Sequence, residues 1–117
     1  MSTIEQIAQA FSSHRFAEAH PHLTQDVRWQ SYGGPTLQGR DAVIEACEQT
    51  SEHLSEVTTE FRRFKVVIGS DAVAVDSLAE YVDTDGRGTI VASCDIYDFV
   101  DGEVTAIVSY TVEVSED

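Results

Sequence analysis

The second half of the chain constrains the fold more than any other feature. "TTEFRRFKVVIG", "AVAVDSLAEYVD", "TIVASCDIYDFV" and "EVTAIVSYTVEV" follow one another between residues 58 and 114, rich in β-branched and aromatic residues. Short turn signals separate them: "SD" at 70–71, "TDGRG" at 84–88 and "DG" at 101–102. Four long strands joined by hairpins make an antiparallel meander. Strands of this length twist and bend, and a bent sheet needs helices in its concave side.

The first half supplies them. In "STIEQIAQAFSSHRFAEAHPHL", Ile4, Ile7, Ala8 and Phe11 recur at helical spacing, and Thr3 with Gln6 forms a capping box. "SSH" breaks this helix, and a second short helix runs through Phe16 and Ala19 toward Leu23, with Pro21 fitting it poorly. "DVRWQSY" alternates as a strand, "GGP" turns, "TLQGR" is a short extended piece, and "RDAVIEACEQTSEHL" is an amphipathic helix. The predicted architecture is one α+β domain over residues 1–117, a cone whose N-terminal helices pack in the concave face of a strongly curved, mainly antiparallel sheet. Such a cone keeps an apolar cavity at its open end. The last residues, "SED", are expected to fray.

Composition narrows the function. The 117 residues carry 21 acids against 7 bases, a net charge of −14, and Lys65 is the one lysine. A surface so acidic argues against nucleic acid and anionic membranes as partners. It matches a halophilic source, although a high-GC genome produces much the same bias. No stretch approaches the ~18 apolar residues of a membrane span. The N-terminus has neither the basic start nor the apolar run of a secretory signal, so a cytoplasmic location is expected. Cys47 and Cys94 form no CxxC and read as free thiols filling small apolar spaces.

The chemistry concentrates on "VASCDIYDFVDGEV". With period two, Val91, Ser93, Asp95, Tyr97 and Phe99 share one face, and Asp95 is the acid on it. An acid on an apolar, aromatic face is either desolvated, with its pKa raised, or satisfied by a neighbouring Tyr, Arg or hydroxyl. Trp29, Tyr32, Phe61, Phe64, Tyr81, Tyr97 and Tyr110 supply aromatic surface to share between core, dimer contact and cavity wall. The candidate ligand-contacting residues among them are Trp29, Tyr32, Phe61, Tyr81, Tyr97 and Tyr110, together with Ser93. "HPH" at 20–22 has no third ligand within sequence reach, so no metal site is predicted. "GRD" at 39–41 lacks the glycine spacing and lysine of a phosphate loop; Asp41 favours the helix start.

Taken together, "LTQDVRWQSYGG" before "LQGRDAVIEA", and "CDIYDFVDGEVTAIVSY" near the end, resemble the SnoaL-like members of the nuclear-transport-factor-2-like superfamily. The resemblance covers nearly the whole chain and implies the cone fold. It is weaker on activity, because those relatives include ketosteroid isomerases, polyketide cyclases, epoxide hydrolases, dehydratases and members that only bind or dimerise. Similarity to ketosteroid isomerase places Asp95 at the position of a pocket acid that stays protonated and donates to an oxyanion. It places the isomerase's base near Gln30 or Ser31 and its oxyanion tyrosine near Ile7. One part of three is kept, which argues against steroid isomerisation by that mechanism. Similarity to the cyclases implies a single strand acid as acid/base, which this sequence retains. An epoxide hydrolase would need two acids bridged by an arginine, such as Arg62 or Arg63 with Asp76 and Asp95. In related folds the end of the first helix lies at the pocket mouth, which makes His14 the candidate histidine base.

Three functions therefore stand open. The first is a cofactor-independent isomerase- or cyclase-type enzyme using Asp95 and His14 on a hydrophobic, carbonyl-bearing small molecule. The second is a non-catalytic binder of such a molecule. The third is a structural protein. In each case a homodimer packed through the outer sheet face is expected, because long, two-faced apolar strands expose surface that needs covering.

Overall fold

A computed structural model describes residues 2–114. Helices α1 (Ile4–Ser12) and α2 (Phe16–Ala19) lead through a 3-10 turn (His20–His22) into β1 (Leu23–Tyr32) and β2 (Thr36–Gln38). Helix α3 (Arg40–Leu54) follows, then β3 (Thr58–Ile68), β4 (Ala72–Val82), β5 (Gly88–Val100) and β6 (Glu103–Val114). The six strands form one sheet in the order β2-β1-β6-β5-β4-β3. Every pair is antiparallel except β1 with β6, which run parallel. The sheet curls, and the helices pack on its inner face as an α+β cone. The segment "SED", expected to fray, lies outside the described residues.

Local chemistry sets the helix ends. Thr3 and Gln6 close the capping box, at 3.2 Å and 3.0 Å. Helix α1 stops because His14 adopts φ 70°, while Arg15 N–H reaches back to the Ala10 carbonyl at 2.8 Å and His14 N–H to that of Phe11 at 3.1 Å. This is a Schellman motif with histidine where glycine is usual. Strand β1 begins at Leu23, earlier than its alternating pattern suggests, and its Leu23 is fully buried.

The inner face divides along the strands. At one end Tyr97, Phe99, Val104, Ile107, Val73 and Val75 meet Ile7, Ala8, Phe11 and Val43 in a dry core. At the other end the same strands present hydroxyls, aromatics and Asp95. Two bulges adjust which residues face inward. One between Phe61 and Arg63 keeps Phe61 and Phe64 on the same side, their rings 5.3 Å apart. The other, between Asp98 and Phe99, shifts β6 by one residue and pairs Asp95 with Ser109.

The β5–β6 hairpin turns on Asp101 at φ 53° and Gly102 at φ 81°, the geometry of a type I′ turn. Adding a Cβ at Gly102 meets no neighbour, so a substitution there tests the backbone alone. Gly102→Ala is expected to cost about 1–2 kcal/mol, the penalty of a left-handed L-residue. Asp101→Asn should stay within about 0.5 kcal/mol of the parent. Urea unfolding midpoints check both, and equal midpoints for Gly102→Ala and the parent would refute the strain argument.

Candidate functional site

Asp95 sits where the dry core gives way to the open end of the cone. Its two carboxylate oxygens are held separately. Ser12 Oγ donates to Oδ2 at 2.9 Å, and Ser109 Oγ donates to Oδ1 at 2.6 Å. Each serine is in turn pinned from behind. Trp29 Nε1, which can only donate, gives its hydrogen to Ser109 Oγ at 2.9 Å, leaving the serine hydrogen for Asp95. Tyr97 is hydrogen-bonded to Ser12, and with the Ser12 hydrogen committed to Asp95 the phenol is the donor. Two relays, Trp29–Ser109 and Tyr97–Ser12, thus converge on one carboxylate from neutral donors. Of the two environments open to this acid, the structure selects pairing with hydroxyls.

The carboxylate faces a cavity of about 170 Å³ whose wall includes Phe11, Phe16, Trp29, Phe61, Tyr81 and His14. Ser31, Ser77, Ser93, Thr111 and Thr50 add hydroxyls. A wider vestibule of about 420 Å³ shares His14, Thr50 and Tyr81 with the cavity and adds His53, Leu54, Asp83 and Arg87. His14 is therefore a rim residue touching both spaces. Its Nε2 lies 3.5 Å from the Tyr81 hydroxyl, and its ring stands among Phe16, Phe61 and Tyr81. Burial lowers the His14 pKa, and the nearby Asp95 charge raises it by less. Burial, then Asp95, pushes the Tyr81 hydroxyl up. The same two causes, in the same order, push Tyr97 well above its ordinary value, so both phenols keep their protons.

The residues picked from sequence divide into three groups. Asp95, His14, Trp29, Phe61, Tyr81 and Ser93 come together around the cavity. Tyr97 does not reach it: fully buried beneath Asp95, it acts through Ser12. Tyr32 and Tyr110 lie on the opposite, outer face, 54% and 47% exposed, stacked on each other with centroids 5.0 Å apart. Their parity decides this, since Ser31 and Ser109 beside them line the cavity.

Ser12, Ser109, Phe11 and Phe16 also line the cavity, though the sequence does not single them out as site candidates. Phe11 and Phe16 carry in the sequence only the signal of apolar positions on helices. Ser109 was hidden by the bulge that sets its register.

The two-acid, one-arginine set is not assembled. Asp76 pairs with Arg63 at 2.8 Å on the outer surface, and Arg62 pairs with Glu80 at 2.9 Å. Asp76 lies opposite Cys94, one residue out of phase with Asp95, hence on the other face. Of the isomerase positions, Ser31 lines the cavity and Ile7 is buried in the core. Both thiols are held protonated. Cys47 is pushed up to about 12, first by burial and then by Glu48. Cys94 is raised by burial and then by Asp95 and Asp76. Among the described residues, no cluster of three or more His, Cys, Asp or Glu could hold a metal ion, and no helix is long and apolar enough to cross a membrane.

A curled, mainly antiparallel sheet with helices packed on its inner face defines the α+β cone class. The chain belongs to the SnoaL-like domain family, whose model matches residues 4–107. Among solved structures it is similar to an NTF2-like protein of unknown function from Cytophaga hutchinsonii ATCC 33406, at 24% identity and TM-score 0.80, covering 91% of this chain and 93% of that one. A protein from Xanthomonas campestris pv. campestris whose name proposes a polyketide cyclase aligns at 18% identity and TM-score 0.70, covering 92% of each chain. An LEH-like epoxide hydrolase of M. tuberculosis aligns at 14% identity and TM-score 0.71, covering 93% and 82%. At these identities the likeness is one of fold. No curated protein matches the chain.

His14 gives a test of this electrostatic environment. Its folded-state pKa lies below its unfolded value of ~6.5, so between the two the unfolded chain binds a proton that the folded chain does not. Stability contributed at neutral pH is therefore lost as pH falls below about 6.5. His20, also lowered by burial, adds a loss of the same sign. His14→Asn tolerates the left-handed backbone and should lose less stability than the parent between pH 7.5 and 5.5, measured by urea midpoints. Parallel curves for the two proteins would refute it.

Proposed function

We propose that the protein is a cofactor-independent acid/base enzyme, of isomerase or cyclase type, acting on a small hydrophobic carbonyl compound in the cytoplasm. The observation that carries this reading is the Asp95 carboxylate, fixed by one hydroxyl on each oxygen and open to a cavity walled by aromatic rings and hydroxyls. A carboxylate held only as an acceptor is a general base rather than a proton donor. It takes a proton from carbon beside the substrate carbonyl and becomes a carboxylic acid. The C–H electron pair moves into the carbonyl as an enolate, whose oxygen is met by a neutral donor such as Tyr81. Return of the proton to a different carbon completes an isomerisation. Attack of the enolate carbon on a second carbonyl within the molecule completes a cyclisation, with the proton passed to the new alkoxide.

Cavity size supports a small substrate. About 170 Å³ is close to the ~150 Å³ of cavities that hold benzene. One ring fits against Asp95, and any further substituent extends past His14 into the vestibule. The relatives named above as a cyclase and a hydrolase are compatible with such chemistry on this fold. The missing second acid favours a one-carboxylate reaction over epoxide opening.

Exchange of ketone α-protons in D2O, followed by NMR with ring-sized ketones, tests the reading. Asp95→Asn is expected to lower the exchange rate by about 10²–10⁴-fold. Saturable binding of the same ketones with no exchange above buffer would instead establish a non-catalytic binder.

We also propose a second copy of the chain as partner on the outer sheet face. Tyr32, Tyr110, Val112 at 63% and Ile96 at 38% exposure all lie there, with ion pairs on the neighbouring strands β3 and β4. Two copies of charge −14 repel, so salt should strengthen the association. Light scattering is expected to give a dimer mass at 0.5 M salt, and Val112→Asp a monomer. A monomer at all salt concentrations would overturn this partner.

A further inference from the structure

The inner cavity has a charge pattern that proton transfer alone does not require. Among the described residues, Asp95 is the one carboxylate of its wall, and no lysine or arginine joins it there. Its hydrogen-bond donors, Ser12 and Ser109, are neutral. Burial lowers the His14 pKa, which keeps its ring uncharged near neutrality. Asp95 is half-buried, and a cation bound beside it at short range would find an opposite charge that no side chain of the wall already balances. Arg15, Arg62 and Arg63 pair with Glu18, Glu80 and Asp76 away from the cavity.

The rings of the wall form a continuous band. Trp29 lies 5.1 Å from Phe11, Phe11 lies 5.2 Å from Phe16, and Phe16 lies 5.7 Å from His14. From His14 the band continues to Phe61 at 5.6 Å and to Tyr81 at 6.0 Å. Aromatic faces attract organic cations within about 6 Å, most strongly when water is excluded. A chain of net charge −14 also concentrates cations around itself.

We propose that the compound taken by this cavity carries a positively charged nitrogen, protonated or quaternary, seated among Trp29, Phe16, Phe61 and Tyr81 with the Asp95 carboxylate as its counter-charge. The inference rests on Asp95 being the working group of the cavity, as in the acid/base reading, and adds the charge of the substrate to it. The rings carry the cation and the carboxylate balances it through space, so the oxygens of Asp95 remain open to the reacting carbon.

Trp29 is the single tryptophan of the chain, so intrinsic fluorescence reports on the cavity. The probes are cyclohexylammonium, cyclohexanol and cyclohexanecarboxylate, of one size and three charges, titrated at physiological salt and pH 7. The ammonium is expected to bind at least about 10-fold more tightly than the alcohol, with the carboxylate weakest. Asp95→Asn should remove most of that preference, read as the ratio of ammonium to alcohol affinity within the same variant. Equal binding of ammonium and alcohol overturns the proposal. So does an ammonium preference that survives Asp95→Asn, which would come from the diffuse field of the surface acids. Phe61→Leu, outside the hydroxyl relays, is the second variant. A loss confined to the ammonium supports the aromatic seat, and an equal loss for all three probes overturns it. The ketone exchange assay separates the two readings. Exchange without an ammonium preference overturns this inference alone, and an ammonium preference without exchange overturns the acid/base reading alone.

Discussion

The hydrogen bonds that fix Asp95 are the constraint on which the site depends. A carboxylate at the edge of a core is tolerable only when its oxygens keep partners. Here each oxygen has one hydroxyl, and each hydroxyl has a donor behind it. The four supporting groups come from α1, β1, β5 and β6. The carboxylate is therefore oriented by the same packing that joins helix α1 to the sheet. Remove the helix and Asp95 loses Ser12; slip β6 by one residue and it loses Ser109. Stability and site geometry are coupled at this point, because a half-satisfied buried network is worse than an apolar one.

That coupling explains the division of labour along the strands. Below Asp95, Tyr97 and Phe99 extend the same face into the dry core, and Tyr97 is the hinge between the two regions. Its ring packs 5.8 Å from Phe11 while its hydroxyl supports Ser12. Phe11 plays the matching part from the helix, with one edge in the core and another on the cavity wall. Neither residue needs to touch a ligand to determine where Asp95 points.

Much of this was legible in the sequence. The capping box, the break at "SSH", helix 40–54 and the four hairpin-linked strands are local signals, and local chemistry decided them. Alternation also placed Ser93, Asp95 and Tyr97 on one face. What the sequence hid was register. Counting back from the Asp101-Gly102 turn pairs Asp95 with Val108; the bulge at Asp98 and Phe99 moves the pairing to Ser109. A one-residue slip exchanges the two faces of a strand. It is the reason Tyr110 turned outward to stack on Tyr32 while the less conspicuous Ser109 turned in. Ser12 was hidden differently. Its partner lies 83 residues away in sequence, and nothing local distinguishes it from Ser13.

His14 shows how a strained backbone and a rim position reinforce each other. Its φ of 70° belongs to a helix-ending motif in which glycine would be free of strain. Keeping a ring there costs about 1–2 kcal/mol of left-handed strain, so its side chain must return something. The contacts with Phe16, Phe61 and Tyr81 return part of it by closing the aromatic band. The turn that ends α1 also throws the ring sideways, across the boundary between cavity and vestibule. A glycine would end the helix equally well and leave that boundary open. The strained conformation thus sets the ring at the cavity mouth, beside the same space that Asp95 faces.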